Sequence, residues 1–295
     1  MKALIIVCGV WAIWPVQAAV QVGAWKPLFQ GVELALDEAD RAEARLQKVS
    51  AVRVDLLAPG IEFFSTPANG DRPLETISET TSEFLVHHGL QVAINANFFS
   101  PCCAAGDKDL SGIAISRGEV VSPQEARHNG AGVLLITRDN RATITVMSHT
   151  PIPTHGVWTA ISGSGVVLAD GKKPTGVAKD FYTLAHPRSA VGLSADRRYL
   201  VMVTIDGRQS DYSAGATQSE VADWLLRFGA DAGINLDGGG STTLVRAEGG
   251  RAVVVNRPSE AKRGAKGPPG GSETRQERSN GSNFGVWAKP LGAAK

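Results

Sequence analysis

The stretch Gly233-Ile234-Asn235-Leu236-Asp237-Gly238-Gly239-Gly240-Ser241-Thr242-Thr243-Leu244-Val245 decides how the rest of the chain is read. Its two ends are short apolar runs, the second rich in β-branched residues, and each predicts a strand. Between them stand one carboxylate, three consecutive glycines and a run of hydroxyls. Consecutive glycines cost backbone entropy and bury no side chain, so a chain carries them where the backbone must bend sharply or let a ligand come close. Backbone N–H groups freed in such a bend can form a concave anion site. Asp237 follows a buried strand, a place where binding and catalytic groups gather. The alternative is a tight turn in which Asp237 caps its own backbone. The stretch is not a Walker loop, since no Lys follows the glycines, and Gly-x-Ser-x-Gly occurs nowhere in the chain.

Working outward, the clearest helix ends just before this stretch. Thr217 or Ser219 caps it, Glu220 lies early, Val221, Ala222, Leu225 and Leu226 recur at helical spacing, and Gly229 stops it. A second helix is expected over 75–88, closed by Gly89, with His87 and His88 at its C-terminal end. Apolar or alternating runs predict strands at 30–37, 49–57, 90–95, 189–193, 199–205, 251–256 and 283–288. Hairpins are expected around Arg117-Gly118 and Asp139-Asn140. Residues 39–47 fit a short helix or a loop, 100–111 read as a polar loop, and 172–183 as irregular. Residues 257–282 hold almost no apolar side chain and read as a mobile loop over the site edge, because a final strand follows them.

The chain has 295 residues, 43% of them hydrophobic, and 33 glycines, which suits a turn-rich globular protein. Lys2, the uncharged apolar run 3–16 and Val16-Gln17-Ala18 read as a signal peptide over 1–18, with an uncleaved anchor as the alternative. The expected location is secreted or periplasmic, with no stable membrane insertion after cleavage. Residues 19–48 form an N-terminal strand and loop, and 49–289 a single domain. Loss of Lys2 takes the net charge from +1 to 0, so no basic face argues for nucleic acid. Cys102 and Cys103 remain, open to free thiols, a vicinal disulfide or pairing between chains. The six His are scattered, with no His-x-His or His-Glu-x-x-His, so neither a metal nor another cofactor is expected.

Three segments each bring polar groups to a strand end: Asn95 and Asn97, Arg188 and Asp206, and Asp237 with its glycines. Arg suits bidentate phosphate binding, and two carboxylates suit glycoside cleavage. The pattern Ile94-Asn95-Ala96-Asn97-Phe98-Phe99, Pro187-Arg188-Ser189-Ala190-Val191-Gly192, Val203-Thr204-Ile205-Asp206-Gly207-Arg208, Gly215-Ala216-Thr217 and Asn235–Thr243 resembles the phosphodiester glycosidase family, as do Asn256-Arg257-Pro258-Ser259 and Glu277-Arg278. The resemblance covers roughly residues 50–288. It implies an α+β domain with a mixed, mostly antiparallel central sheet and a few packed helices. It also implies cleavage of a sugar-1-phosphodiester, releasing the sugar and leaving a phosphomonoester. The partner is then a glycan or sugar-phosphodiester, of envelope or exopolysaccharide material for a secreted bacterial-type protein. On this reading Asp237 is the first catalytic carboxylate and Asp206 the second, as base or orienting partner. Asn95, Asn97, Arg188, Gly238, Gly239, Gly240, Ser241 and Thr242 contact substrate. The alternatives are a catalytically silent carbohydrate-binding or envelope-assembly protein and a metal-dependent phosphodiesterase.

Overall fold

The computed structural model describes residues 23–39, 45–124, 131–148, 150–261 and 275–292. The leader expected at 1–18, residues 40–44 of the undecided 39–47 segment, and 262–274 of the loop expected at 257–282 lie outside the described residues.

Most strands are short and joined by tight turns. Arg117 and Gly118, Asn140, and Gly249 with Gly250 all have positive φ, and they close the hairpins Ala114–Ser116 with Glu119–Ser122, Gly132–Thr137 with Ala142–Val146, and Leu244–Glu248 with Arg251–Val254. Chain reversals of this kind pair neighbouring strands antiparallel. Every described pairing is antiparallel.

A 7-stranded sheet runs in the spatial order Lys26–Phe29, Val32–Ala39, Gln47–Asp55, Tyr199–Ile205, Arg188–Leu193, Ala232–Asn235, Gly165–Leu168. One 5-stranded sheet holds Glu119–Ser122, Ala114–Ser116, Val157–Gly163, Gly132–Thr137 and Ala142–Val146. A second holds Arg251–Val254, Leu244–Glu248, Val92–Asn95, Asn283–Trp287 and Glu62–Ser65. Small sheets of 3 and 2 strands complete the set.

The α+β expectation of one central sheet with packed helices is therefore corrected. The described chain is mostly β, with several sheets and only 3 α-helices, Thr81–His88, Asp180–Thr183 and Gln218–Arg227. The reason lies in what covers the strands. Val52 and Val54, Leu200 and Met202, Ile94, and Leu134 and Ile136 meet in one core shared by the three large sheets. A sheet thus stands where a layer of helices was expected. Helices cover only outer faces. The alternate residues Val49, Ala51, Val201, Val203 and Ile205 pack under Val221, Ala222 and Leu225 of Gln218–Arg227. Phe84 and Leu85 of Thr81–His88 cover Ala93 and Val245.

Both of these helices begin with a capping box. Glu220 N donates to Thr217 Oγ1 at 3.2 Å and Thr217 N to Glu220 Oε2 at 2.7 Å. Thr80 and Glu83 do the same for the first helix, which starts at Thr81, so the expected 75–88 helix loses its first turn to the strand Thr76–Ile77. The polar stretch 100–111 also contributes the strand Asp107–Leu110.

Candidate active site

The glycine-rich stretch crosses from one sheet to another. Ala232–Asn235 belongs to the 7-stranded sheet, where Asn235 faces Ala190, and Leu244–Glu248 belongs to a 5-stranded sheet, where Leu244 faces Ile94. The crossing is fixed to both sides. Leu236 N donates to Ser189 O at 2.8 Å, and Asp237 N to Ala96 O at 3.0 Å. Asn95 makes the central clasp. Its Nδ2 donates to Asp237 O at 2.7 Å, and its Oδ1 accepts from Ser189 Oγ at 2.6 Å and Thr243 N at 3.2 Å.

Asn95 is thus fully buried and occupied in holding the loop. Asn97 is buried likewise, donating to Ser111 O and Ile113 O and accepting from Ser162 N and Ser282 Oγ. Buried carboxamides bonded at both the amide nitrogen and the oxygen position backbone.

Asp237 opens into a cavity of about 330 Å³ with Gly238, Gly239 and Gly240. Phe98, Cys102, Cys103, His186, Arg188, Arg208 and Arg278 complete its walls. Burial pushes the Asp237 carboxyl up to about 6, partly opposed by Ser241, the Gly238 amide and Arg278. The Ser241 hydroxyl lies close enough to favour the carboxylate but makes no well-aligned hydrogen bond. Gly238 N donates to Asp237 Oδ1 at 2.9 Å and Gly239 N to Pro187 O at 2.9 Å. Those two amides are therefore spent inside the protein, and the positive charge of the cavity comes from guanidinium groups.

Arg188 is buried, with Nε donating to Ala216 O at 2.9 Å and Nη2 to Leu184 O at 2.7 Å. Two carbonyls orient it without neutralising it. Burial and Arg208 lower it to about 10, so it stays charged at neutral pH. Arg208 follows Gly207 with φ 58° and reaches over Gly239, and neither arginine has an ion-pair partner among the described residues. Arg278 does: Glu260 holds it over Gly240. His186 is pushed below its ordinary value by burial and by Arg188 and Arg208, which leaves a neutral imidazole in a positive field.

Asp206 is elsewhere. It lines a different cavity with Tyr212 and Lys48, and its carboxylate accepts from Asn256 Nδ2 at 2.9 Å and Arg257 N at 3.0 Å. Burial raises it to about 6, against the pull of Asn256, Arg257 and Tyr212. Asn256 in turn donates to Thr242 O at 3.1 Å and accepts from Leu244 N at 2.8 Å. Asp206 therefore touches the glycine-rich loop through Asn256 and lines a different cavity from Asp237. Ser241 and Thr242 are buried under the loop, and neither lines the cavity of Asp237.

Sequence reasoning missed Arg208, Arg278 and His186; of the alternatives open for Cys102 and Cys103, the structure shows the vicinal disulfide, in the cavity wall. Two of the missed residues had a signal. Arg208 sits in the quoted Asp206-Gly207-Arg208 and Arg278 in Glu277-Arg278, cations with no assigned role.

The family model for phosphodiester glycosidases matches residues 88–268. No curated protein matches. Among solved structures, the catalytic domain of zebrafish N-acetylglucosamine-1-phosphodiester alpha-N-acetylglucosaminidase, auto-inhibited by its pro-peptide, superposes with a TM-score of 0.66 at 18% identity, covering 91% of this chain and 87% of that one. A Burkholderia pseudomallei protein described as exported gives 0.56 at 16% identity, covering 82% and 74%. A Synechocystis protein gives 0.55 at 15%, covering 88% and 62%. At these identities the structural likenesses show the shared fold. The family match spans more than half of the chain, and the chain belongs to the phosphodiester glycosidase family.

Proposed function

We propose that the protein hydrolyses a glycosyl-1-phosphodiester, with Asp237 acting at the sugar and Arg188 and Arg208 holding the phosphate. One observation carries this reading: a single cavity holds a partly buried carboxylate and two guanidinium groups without ion-pair partners among the described residues. The bond between the anomeric carbon and the phosphate oxygen breaks, water supplies a hydroxyl to the sugar and a proton to the medium, and a phosphomonoester leaves. The phosphate gains a second negative charge as it departs. Its second pKa is near 6, so it needs no protonation at neutral pH. Cations facing that oxygen bind the transition state better than the diester, which is what lowers a barrier. Asp237 stabilises the positive charge growing on the sugar ring or attacks it, and either role requires the ionised form. Asp206 is an orienting partner that acts through Asn256 on the loop.

The expected signal peptide and the balanced charge support a secreted or periplasmic enzyme acting on envelope or exopolysaccharide phosphodiesters. The test is a panel of hexose- and N-acetylhexosamine-1-phosphate methyl diesters, assayed for free sugar and methyl phosphate. Release from one of them, unaffected by chelator, is expected. Binding of the panel with no release from any member would turn the reading to a silent carbohydrate-binding protein.

A further inference from the structure

A second cavity, of about 460 Å³, adjoins the first, and His186 and Arg188 line both. Asp237 lines only the first. Besides those two, the second is lined by Val166, Val177, Ala178, Phe181 and Leu184 and by Ser164, Gly165, Gln218 and the exposed Asp180. The two spaces are built as a unit, since Arg188 Nη2 donates to the carbonyl of Leu184.

A phosphodiester has two arms on one phosphorus. With the phosphate against Arg188, the carboxylate must meet the sugar arm, because only there is a bond to carbon broken. The other arm then lies across Arg188 from Asp237. We infer that the second cavity is the subsite for the alcohol half of the substrate, and that it takes an uncharged group with an apolar face. This rests on the glycosyl-phosphodiester reading above. Five of its eleven lining residues are aliphatic or aromatic, which gives an apolar face of the ligand a place to bury, while Ser164 and Gln218 can meet hydroxyls on its other face, and the carboxylate of Asp180 disfavours a further anion. A third cavity, of about 410 Å³, shares Arg208 with the first, but its lining of Gln209, Ser210, Asp211, Tyr212 and Arg257 is polar and charged. It is the competing place for the same arm.

The experiment compares two diesters of one sugar-1-phosphate, with benzyl and with methyl alcohol arms. Burying the ring predicts a benzyl-to-methyl ratio in kcat/KM of about 10 to 100. Ala178 is exposed at the cavity mouth, so a large side chain there should leave the fold intact. Ala178→Trp should bring the ratio close to one. Ser210→Trp, also at an exposed position, should leave the ratio high. Equal rates for the two diesters in the unaltered protein, an unchanged ratio in Ala178→Trp, or a ratio lost only in Ser210→Trp would overturn the assignment. Calorimetry with the products, benzyl phosphate and methyl phosphate, reads the subsite apart from turnover. Tighter benzyl phosphate binding, lost in Ala178→Trp, supports the subsite even if no diester is cleaved, and in that case only the hydrolytic reading fails. Equal binding of the two products sinks the subsite whatever the enzyme hydrolyses.

Discussion

Replacing Asp237 with Asn should make the protein more stable and nearly inactive. The folded carboxyl titrates at about 6, against 3.8 for the ordinary group, chiefly because burial disfavours its charge. Between those values the folded state binds more protons than the unfolded state, so stability falls as pH rises. Two pKa units at 1.36 kcal/mol each put the cost of the ionised form at about 3 kcal/mol at pH 7. By the same linkage it is only about 1 kcal/mol at pH 4.5. Asn has nearly the same shape, and its Oδ1 can keep the bond from Gly238 N, 2.9 Å in the parent. Asp237→Asn should therefore gain up to about 3 kcal/mol at pH 7, or roughly 2–4 °C in Tm for each kcal/mol. The gain should shrink as the pH falls to 4.5. Turnover of a glycosyl-1-phosphodiester should drop on the order of 100-fold or more, the scale of a lost catalytic group. Urea melts at the two pH values and initial rates at pH 7 test both halves. A less stable variant, or a stability gap independent of pH, would refute the burial argument. A wild-type rate would remove Asp237 from the chemistry.

The proposed role of Asp237 requires its ionised form, and the group titrates at about 6, so the rate should also rise with pH through about 6 and level off above 7; a profile flat down to pH 4.5 contradicts that. The glycines should separate in their effects. A Cβ on Gly238 would stand 2.6 Å from Pro187 O, a fixed backbone atom, so Gly238→Ala should cost about 1–3 kcal/mol in a thermal melt. A Cβ on Gly240 would first meet the side-chain ends of Arg278 and Glu260, which can swing aside where a backbone atom cannot, so Gly240→Ala should fold normally and raise KM by displacing them. Asn95→Ala leaves Thr243 N and Ser189 Oγ without their acceptor and Asp237 O without its donor, and should destabilise by about 2–4 kcal/mol in urea. Thiol counting on denatured, unreduced protein lacking residues 1–18 should find no free thiol, since Cys102 is bonded to Cys103.

Local features of this chain were legible because local chemistry sets them. Thr217 and Glu220 form the capping box that their spacing announces, and Arg117-Gly118 and Asp139-Asn140 turn where they were expected to. The layering was not legible. Val201 and Met202 are equally apolar in the sequence, yet one faces a helix and the other a second sheet, and period-two alternation is the same in both cases. The candidate cavity was legible only in part for a similar reason. Asp237 and Arg188 stand at the strand ends where they were expected, and they line one cavity. Whether a polar group at a strand end faces ligand or backbone depends on partners far along the chain. Asn95 meets residues 94 to 148 positions away, and Asp206 meets Asn256 50 positions away. Arg278 meets Gly240 from 38 positions further along the chain, a separation that no local pattern bridges.

The crossing of the glycine-rich loop between two sheets bears on how the protein folds. Asn95, Ser189 and Thr243 meet at one point, and each comes from a part of the chain that closes a long loop to get there. Contacts of that range are entropically expensive and form late. No early intermediate with a single sheet in place can hold Asp237 where it belongs. Recovery of activity during refolding should therefore coincide with the slowest, concentration-independent phase, and catalysis serves as a reporter for completion of the native state.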